Sequence, residues 1–462
     1  MDTIGLGITV LSLGIWIGLL GFRGQFWRAD QRLLLDTFPT RSVGEGESLP
    51  KVCAVIPARN EAELVPTTLR SLLAQDYPGC LTVIVVDDQS TDQTATIAQA
   101  LAEESNQSSE RFQLEVLSGQ TLPPGWTGKL WALEQGIRYG QQQTPAPDYF
   151  LLTDADIEHD PANLRQLVIK AEMEHLDLVS LMVLLRCQDF WERLLIPAFV
   201  FFFQKLYPFA WVNNPTKSTA AAAGGCILIR HQALNRIGGI EVVRQALIDD
   251  CALAQAVKSS RLLAEVGNRE QGTGNSGQEL TQSDAARSWG FPAGATASRT
   301  LSEKYFCNRS SNQSRSSSGS LSGLGGIWLG LSQSTRSLRP YPSLASIWNM
   351  IARTAFTQLE YSPWLLVGTV MAMTLIYLVP PIGLIISVLT GHWLNAIASF
   401  VTWLLMALAY LPTLRLYKCS PLLGFCLPGI GLLYTLMTID SAWRHWQGRG
   451  GVWKGRVYSV EG

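Results

Sequence analysis

The sequence predicts an α/β domain built on a mainly parallel sheet, joined to one membrane segment before it and two to four after it. Between Lys51 and about Leu331, short runs of Val, Ile and Leu alternate with helical stretches, which is typical of strands covered by helices on both faces. Charged residues make up 16% of the 462 residues, whereas about 25% is typical of soluble domains. Part of the chain is therefore expected to lie in lipid.

The start of the chain has the composition of a membrane anchor. Residues 2–22 carry no charge after Asp2, and about twenty apolar residues in a helix span the ~30 Å core of a bilayer. Arginines follow at positions 23, 28 and 32, so the positive-inside rule places the next domain in the cytoplasm. A cleaved signal peptide is the alternative, but its leading basic residues and its small-x-small site are missing. We therefore predict a retained anchor over residues 1–23.

A second membrane region is predicted over residues 363–439, which carry only two charges. Its apolar stretches are 364–389, 393–411 and 421–439. If all three cross the bilayer, the basic tail of residues 440–462 ends outside, against the positive-inside rule. One stretch is therefore expected to be re-entrant. The leading candidate is a hairpin in 421–439 at Pro428-Gly429, and a break of the first stretch at Pro380-Pro381 is the alternative.

Two further segments are expected at the membrane surface. Residues 343–362 place apolar side chains on one helical stripe, with Asn349 and Arg353 off it, as in an amphipathic helix that lies flat on a membrane. A helix packed on the soluble domain is the alternative. Residues 194–212 are as apolar as a span, but Lys205 and two prolines interrupt them. We expect this segment to dip into the membrane rather than cross it.

The α/β domain is predicted over residues 50–261 and 326–342. Between these parts, nine serines occur from Ser302 to Ser322, among Gly, Asn, Gln and Arg. So polar a stretch buries too little apolar surface to offset the entropy lost on ordering. Residues 262–325 are therefore predicted to be a disordered insertion.

Acidic pairs follow three of the predicted elements of the domain. They are Asp87-Asp88, Asp154 with Asp156, and Asp249-Asp250. Ligands of open α/β sheets bind beyond the carboxyl ends of the strands, where such pairs repel one another unless a cation or a donor-rich ligand is present. The Asp-x-Asp pair offers hard oxygens suited to Mg²⁺ or Mn²⁺, which commonly also bind a substrate phosphate.

The order and spacing of these motifs resemble the family 2 glycosyltransferases, which have a GT-A fold with a Rossmann-like sheet. The motifs are PARNE at 57–61, DDQSTD at 87–92, DAD at 154–156 and DD at 249–250. Further strings resemble the membrane-bound hopene-associated glycosyltransferases of bacterial hopanoid gene clusters. These strings are GWTGK at 125–129, IDDCALA at 248–254, WLGL at 328–331, SLR at 337–339 with RTAFTQL at 353–359, and GGVWKGR at 450–456. The 262–325 insertion departs from that family's short connection.

The resemblance implies an inverting transfer of sugar from a nucleotide-sugar, with a UDP-sugar expected, to a lipid acceptor. The enzyme would be a multi-pass protein of the bacterial cytoplasmic membrane with its catalytic domain in the cytoplasm. Asp156 and Asp154 would hold Mg²⁺ or Mn²⁺ on the diphosphate of the donor, which Asp154 would also contact. Asp250 would be the general base, and Asp249 either a contact of its own or a support for Asp250.

The remaining roles concern the nucleotide. Asp87 or Asp88 would contact the nucleobase or ribose, and a turn would shape the pocket with Pro57, Arg59, Asn60 and Glu61. Lys129 at a helix start would bind phosphate, with a surface lysine as the alternative. Five residues are hypothesised to close over the diphosphate, with lipid-headgroup anchoring as the alternative. They are Arg339, Arg353, Trp453, Lys454 and Arg456. Asp92 is expected to cap the following helix or to join the site, and His159 is expected to be structural.

Other functions are less consistent with the sequence. A polysaccharide synthase normally has more spans and an intact Q-x-x-R-W motif, whereas a polyprenyl-phosphate glycosyltransferase remains an alternative. A non-catalytic scaffold that binds a nucleotide-sugar would be free to lose Asp156 and Asp250. The first turn, PARNEAE, has no glycine, which excludes a dinucleotide fingerprint. The net charge of −1 gives no reason to expect a nucleic-acid partner.

Overall fold

Eight strands form one mixed sheet in the order β3-β2-β1-β4-β7-β6-β8-β5. The computed structural model describes residues 2–33, 49–108, 111–272, 326–449, 452–453 and 456–457. The strands of the sheet are β1 (Val52–Ala58), β2 (Leu81–Asp87), β3 (Phe112–Ser118), β4 (Tyr149–Thr153), β5 (Ile157–Glu158), β6 (Leu178–Leu184), β7 (Cys226–Arg230) and β8 (Ile327–Ser337). A separate antiparallel pair, β9 (Val452–Trp453) and β10 (Arg456–Val457), lies near the end of the chain.

Most strands of the sheet run parallel, as predicted, and two run against them. β3, β2, β1 and β4 pair in parallel, and so do β6 and β8. β7 is antiparallel to both β4 and β6, and β5 is antiparallel to β8. After β6 the chain leaves the sheet for the apolar helices and re-enters at the same edge, which reverses β7 relative to its neighbours. Four of the seven neighbouring pairs are therefore parallel and three are antiparallel, so the sheet is mixed, with β5 and β7 running against the other six strands.

Helices cover both faces of the sheet. One face packs on α2 (Val65–Leu73), α3 (Thr94–Ser108) and α5 (Asn163–Met173). The other face packs on α4 (Gly128–Gln141), α8 (His231–Ile237) and α9 (Asp249–Gly272). All seven residues of β1 are buried between these layers, as a near-continuous apolar strand requires.

Helix α9 extends into the predicted insertion. Residues 262–272 are helical, so the prediction of disorder is wrong for them. They include Leu, Ala, Glu and Arg, which are good helix formers and continue the helix that begins at Asp249. The rest of the predicted insertion, residues 273–325, lies outside the described residues.

A layer of apolar helices packs beside the domain. Its helices are α1 (Asp2–Phe22), α6 (Phe190–Leu206), α7 (Phe209–Val212), α10 (Leu344–Ala352), α11 (Pro363–Met373), α12 (Val379–Thr390), α13 (Trp393–Leu416) and α14 (Leu427–Trp446). Five helical stretches of the described residues are long and apolar enough to cross a membrane. They are Ile4–Phe22, Phe190–Val212, Pro363–Thr390, Trp393–Leu416 and Pro421–Trp446. A π-helical turn, Thr374–Leu378, joins α11 to α12 just before Pro380-Pro381, so this stretch stays helical there and does not reverse.

The last apolar stretch returns toward the place where it starts. At its start, Cys419 lies 3.6 Å from Cys187, which follows β6, measured between the sulfur atoms. The chain then reaches the middle of α13, where the Trp403 indole donates to the carbonyl of Phe425. At its end, Asp440 accepts a hydrogen bond from the Trp348 indole of α10 at 2.6 Å. Both ends of the stretch therefore contact elements that adjoin the α/β domain.

The predicted hairpin position in this stretch is wrong. The turn is formed by a 3-10 helix, Pro421–Cys426, and α14 then continues without a break to Trp446. Pro428 lies in the first turn of α14, where its missing N–H removes no helical hydrogen bond and its fixed φ favours the helix. Pro428-Gly429 therefore starts the helix instead of bending the chain.

The predicted surface helix over residues 343–362 is shorter than expected and packs on protein. It consists of α10 and a 3-10 helix, Thr357–Leu359. Ile347 and Ile351 on its apolar stripe are buried with residues of α6 and α14. The stripe therefore faces the apolar helices, which differs both from a lipid-facing stripe and from a stripe on the core of the α/β domain.

Close packing holds α4 on the sheet. A Cβ atom added at Gly136 of α4 would lie 2.4 Å from Cγ1 of the buried Val55 and 3.1 Å from Cγ2 of Val86. Valine is stiff at χ1, so neither neighbour can move away without strain. We predict that Gly136→Ala destabilises the protein by about 1–3 kcal/mol through overpacking.

The measurement is the melting temperature in detergent. Gly18→Ala on α1 is the control, because a Cβ there meets nothing within 4 Å. A Gly136→Ala variant that melts at or above the wild-type temperature would contradict this packing.

Candidate active site

Three acidic pairs converge at the edge of the sheet where β1, β2 and β4 end. Asp87 is the last residue of β2, and Asp154 follows β4 directly. Asp249 and Asp250 form the first turn of α9. A cleft at this edge is lined by Asp154, Asp249, Asp250 and Pro57 at the end of β1, together with apolar side chains of α4 and α9.

Lys129 links the acids that follow β4 to those that begin α9. Its ammonium lies 3.1 Å from a carboxylate oxygen of Asp154 and 3.2 Å from one of Asp249. Burial by itself would lower the pKa of Lys129, but the charges of Asp154, Asp249 and Asp250 raise it above its ordinary value. Lys129 is thus neither a surface lysine nor a free phosphate ligand in this state. It is the counter-ion of an acidic cluster.

Backbone N–H groups hold the carboxylate of Asp250. The N–H of Gly224 donates to Oδ2 and the N–H of Cys251 to Oδ1, both at 2.8 Å. Burial raises the pKa of Asp250 to about 6, with a further contribution from the charge of Asp249, while Lys129 acts in the opposite direction. Asp250 is therefore mostly ionised at neutral pH and close enough to neutrality to accept a proton.

Arg339 neutralises the other carboxylate of the Asp-x-Asp motif. Its Nε donates to Oδ2 of Asp156 at 3.0 Å, and its Nη2 pairs with Glu61 in the turn after β1. The hydroxyl of Ser337 also donates to Asp156, at 3.1 Å. The antiparallel register of β5 and β8 pairs Ile157 with Ser337, which places Arg339 at the site.

Arg353 and the tail are further from the acids or less fully described. Arg353 is exposed at the end of α10. Burial raises the pKa of Tyr341, and the nearby charges of Arg339 and Arg353 both act to lower it. The backbones of Trp453 and Arg456 lie in β9 and β10, and Lys454 lies outside the described residues. A role of the tail at the diphosphate stays a prediction.

The turns after β1 and β2 form one hydrogen-bonded unit. Asn60 has a left-handed backbone, with φ of 52°, and its side-chain oxygen accepts from the N–H of Thr91 at 2.8 Å. The guanidinium of Arg59 donates to the carbonyl of Asp88 at 2.5 Å. Oδ1 of Asp87 is buried with no hydrogen-bond partner in the described part of the chain. A buried acceptor of this kind is costly unless a ligand donates to it.

Two polar residues near the site are structural. Asp92 accepts from the N–H groups of Thr94 and Ala62, and these bonds lower its pKa although burial alone would raise it. The ring of His159 lies between the hydroxyl of Thr153 and the amide of Asn163. Burial lowers the pKa of His159 to about 3, so the ring is neutral.

Sequence reasoning missed Gly224 and two residues that lie between Asp250 and the apolar helices. A Cβ at Gly224 would lie 3.3 Å from the ammonium of Lys129 and 3.4 Å from Oδ2 of Asp250. Its signal in the sequence is Gly224-Gly225 directly before β7. Tyr207 and Gln358 also meet near Asp250, and no motif pointed to Tyr207.

The donor set fits a divalent ion bound together with a phosphate ligand. Asp154 and Asp156 offer hard carboxylate oxygens. No group of three or more His, Cys, Asp or Glu side chains in the described residues forms a complete metal site. Mg²⁺ is usually held by only one or two carboxylates, with substrate phosphates and waters in its other positions.

Comparison with known proteins finds a family match over the central part of the chain. Residues 53–238 match the sequence profile of Glycosyl transferase family 2. The chain is 31% identical to 4,4'-diaponeurosporenoate glycosyltransferase of Staphylococcus haemolyticus over 128 residues. This aligned stretch covers 28% of this chain and 30% of that protein. It is 30% identical to undecaprenyl-phosphate 4-deoxy-4-formamido-L-arabinose transferase of Enterobacter sp. (strain 638) over 153 residues. This second stretch covers 32% of this chain and 41% of that protein. The match thus spans less than half of either relative.

Solved structures of similar shape include two sugar-transferring enzymes. The mannosyltransferase PcManGT from Pyrobaculum calidifontis, in complex with GDP-Man and Mn²⁺, is 16% identical with a TM-score of 0.35, over 68% of this chain and 88% of that one. The glucosyl-3-phosphoglycerate synthase from Mycobacterium tuberculosis, in complex with phosphoglyceric acid, is 15% identical with a TM-score of 0.31, over 67% and 79%.

The counter-ion role of Lys129 predicts a pH-dependent loss of stability. In Lys129→Met the carboxylates of Asp154, Asp249 and Asp250 repel one another without a cation. We expect destabilisation by about 1–3 kcal/mol at pH 8, less than for a fully buried pair because Asp154 is 36% exposed. Repulsion raises the pKa values of these acids in the folded state, so the loss should shrink as protonation relieves it toward pH 5.

The measurement is the melting temperature of wild type and variant between pH 5 and pH 8. Lys170→Met is the control, because Lys170 pairs with Glu174 at 2.7 Å, a carboxylate that is 48% exposed. The loss of stability in Lys170→Met should be the same at every pH between 5 and 8. The same pH-independent loss for Lys129→Met would rule out the counter-ion role.

Proposed function

We propose that this chain, whose residues 53–238 form a glycosyl transferase family 2 domain with a GT-A fold, transfers a sugar from a nucleotide-sugar to a lipid acceptor with inversion. The observation that supports the proposal best is the setting of Asp250. Its carboxylate is held by two backbone N–H groups beside an acidic cluster that already requires a cation. The site also adjoins the apolar helices, from which a lipid can approach.

Asp250 is proposed as the general base. The acceptor oxygen attacks the anomeric carbon while Asp250 takes the proton of that hydroxyl. The bond from the anomeric carbon to the diphosphate oxygen breaks, and the nucleoside diphosphate leaves with the electron pair. A single in-line displacement of this kind inverts the anomeric configuration.

The nucleoside is proposed to bind in the unit formed by the turns after β1 and β2. Oδ1 of Asp87 is a buried acceptor that a nucleobase N–H or a ribose hydroxyl would satisfy. Arg59 and Asn60 fix the backbone that surrounds it. A UDP-sugar stays the expected donor, from the resemblance of the motifs.

Three cations are proposed to contact the diphosphate of the donor: the divalent metal ion, Lys129 and Arg339. Asp154 and Asp156 would hold Mg²⁺ or Mn²⁺, which when bound neutralises charge on the leaving group. Lys129 and Arg339 balance these carboxylates in the described state. Because each side chain lies directly against one of the two acids, each can also donate to a phosphate that binds there.

The apolar helices support a membrane location. Five stretches have the length and composition of spans, and both ends of the last one contact elements next to the α/β domain. We therefore propose that this last stretch is re-entrant and that the tail lies on the catalytic side, the cytoplasmic face of a bacterial inner membrane. A hopanoid-related acceptor rests on the motif resemblance, and a polyprenyl-phosphate acceptor is the alternative suggested by the undecaprenyl-phosphate relative.

Replacing the base should abolish turnover and spare donor binding. We expect Asp250→Asn to lower kcat by about 10²–10⁴-fold, the usual contribution of a general base. The measurement is metal-dependent release of nucleoside diphosphate from a panel of nucleotide-sugars with membrane lipid extract. Asp76→Asn, which removes one side of an exposed ion pair with Arg165, is the control and should stay active. Wild-type turnover by Asp250→Asn would disprove the assignment.

The pH profile should report Asp250 and its neighbour. Since the pKa of Asp250 is about 6, kcat/KM should fall about tenfold per pH unit below that value and level off above it. The charge of Asp249 raises this pKa, so Asp249→Asn should move the midpoint to lower pH. A midpoint that is unchanged in Asp249→Asn would show that another group controls the profile.

A further inference from the structure

We propose that Tyr207 and Gln358 form the subsite that positions the acceptor, and that this acceptor is a neutral amphiphile with a hydroxyl group. The inference rests on the proposed function. It adds which side chains hold the acceptor and which chemical class they select.

The two side chains form a polar pair next to Asp250. The amide of Gln358 donates to the hydroxyl of Tyr207 at 2.7 Å. That hydroxyl faces the thiol of Cys251, the residue after Asp250, and the charge of Asp250 acts on it. The thiol itself donates to the carbonyl of Ala222 at 3.6 Å. The pair therefore lies within reach of the proposed base.

The pair lies at the junction of the domain and the apolar helices. Tyr207 directly follows α6, and Gln358 belongs to the 3-10 helix after α10. Phe199 and Phe203 of α6 and Tyr207 just after it follow one another at intervals of four residues, and all three are half-buried against the core of the domain. The rings of Phe203 and Tyr207 are 5.2 Å apart. An apolar molecule that follows this stripe would bring its polar end to Tyr207.

The hydrogen-bonding capacity of Tyr207 fits an incoming hydroxyl. Gln358 already donates to the Tyr207 oxygen, so the Tyr207 hydrogen is the group left to donate. The partner it faces, the Cys251 sulfur, is a weak acceptor that a better one can replace. An acceptor hydroxyl could accept from Tyr207 and donate to Asp250 at once. In the reaction its proton moves to Asp250, and Tyr207 keeps its own.

The surroundings disfavour a lipid phosphate. Tyr207, Gln358 and Cys251 are neutral side chains, and the nearby cation Arg23 donates to the carbonyls of Lys205 and Leu206. The largest charge that favours ionised Asp250 comes from Lys129, which is proposed to bind the diphosphate of the donor. A phosphate monoester is already an anion at neutral pH, so it needs a cation rather than a base, and the carboxylate of Asp250 would repel it. A neutral hydroxyl needs the base that Asp250 provides.

The first test separates acceptor binding from donor binding. Tyr207→Phe keeps the ring and removes the hydrogen bond, so KM for the lipid acceptor should rise about 3- to 10-fold. KM for the nucleotide-sugar and the slow hydrolysis of the donor by water should not change. Gln358→Leu should raise the acceptor KM in the same direction. Tyr434→Phe is the control, because it removes a comparable hydrogen bond to the carbonyl of Leu195.

The second test identifies the acceptor class. Membrane lipid extract is separated by ion exchange into neutral and anionic fractions, and each is incubated with wild-type protein and a radiolabelled nucleotide-sugar. Label in the neutral fraction is expected. Label in the anionic fraction, or an unchanged acceptor KM in Tyr207→Phe, would overturn the inference and leave the proposed function intact. If wild type releases nucleoside diphosphate from no donor, the proposed function itself fails, and this inference with it.

Discussion

Electrostatic repulsion among the acids at one sheet edge is the constraint on which the rest of the site depends. Asp154, Asp249 and Asp250 are held together because Lys129 lies among them, and Asp156 is tolerated because Arg339 pairs with it. Each cation is placed by a remote feature of the fold. Lys129 depends on the close approach of α4 to the sheet, and Arg339 depends on the register of β8 with β5. The polar site is therefore secured by backbone packing some distance away.

The parts of the site that could be predicted from sequence are those that follow strands directly. Asp87 and Asp154 come after near-continuous apolar runs, so their place at the carboxyl edge follows from the strand pattern. The pairing of Arg339 with Asp156 could not be predicted this way. It requires β8 to enter the sheet beside β5, and no local pattern encodes that neighbour, because the two partners are 183 positions apart in the chain. The reversed strands β5 and β7 were missed for the same reason, because strand direction depends on the path of the connections.

For the apolar helices, the sequence likewise predicted one property, the extent of each stretch, and failed to predict another, the position of the turn. Length and composition identified all of the long stretches, because each has the length and apolar composition that a bilayer span requires. Where those stretches turn depends on contacts between them. Proline was expected to mark the turn at Pro428, yet it begins a helix, and the turn lies where Phe425 meets Trp403. Tyr207 escaped notice because it looked like one more aromatic residue of an apolar segment.

The connection between α9 and β8 shows where this architecture can accept new sequence. Asp250 lies in the first turn of α9, a helix of 24 residues, and Arg339 follows the last residue of β8, a strand of 11 residues. The connection joins the other two ends, which are the last residue of α9 and the first residue of β8. The entropy of closing a loop grows only with the logarithm of its length. Lengthening the chain at this point therefore leaves the spacing of the acidic pairs unchanged. Evolution can vary the connection between related proteins, and a fluorescent or affinity module fused there would be far from the candidate site.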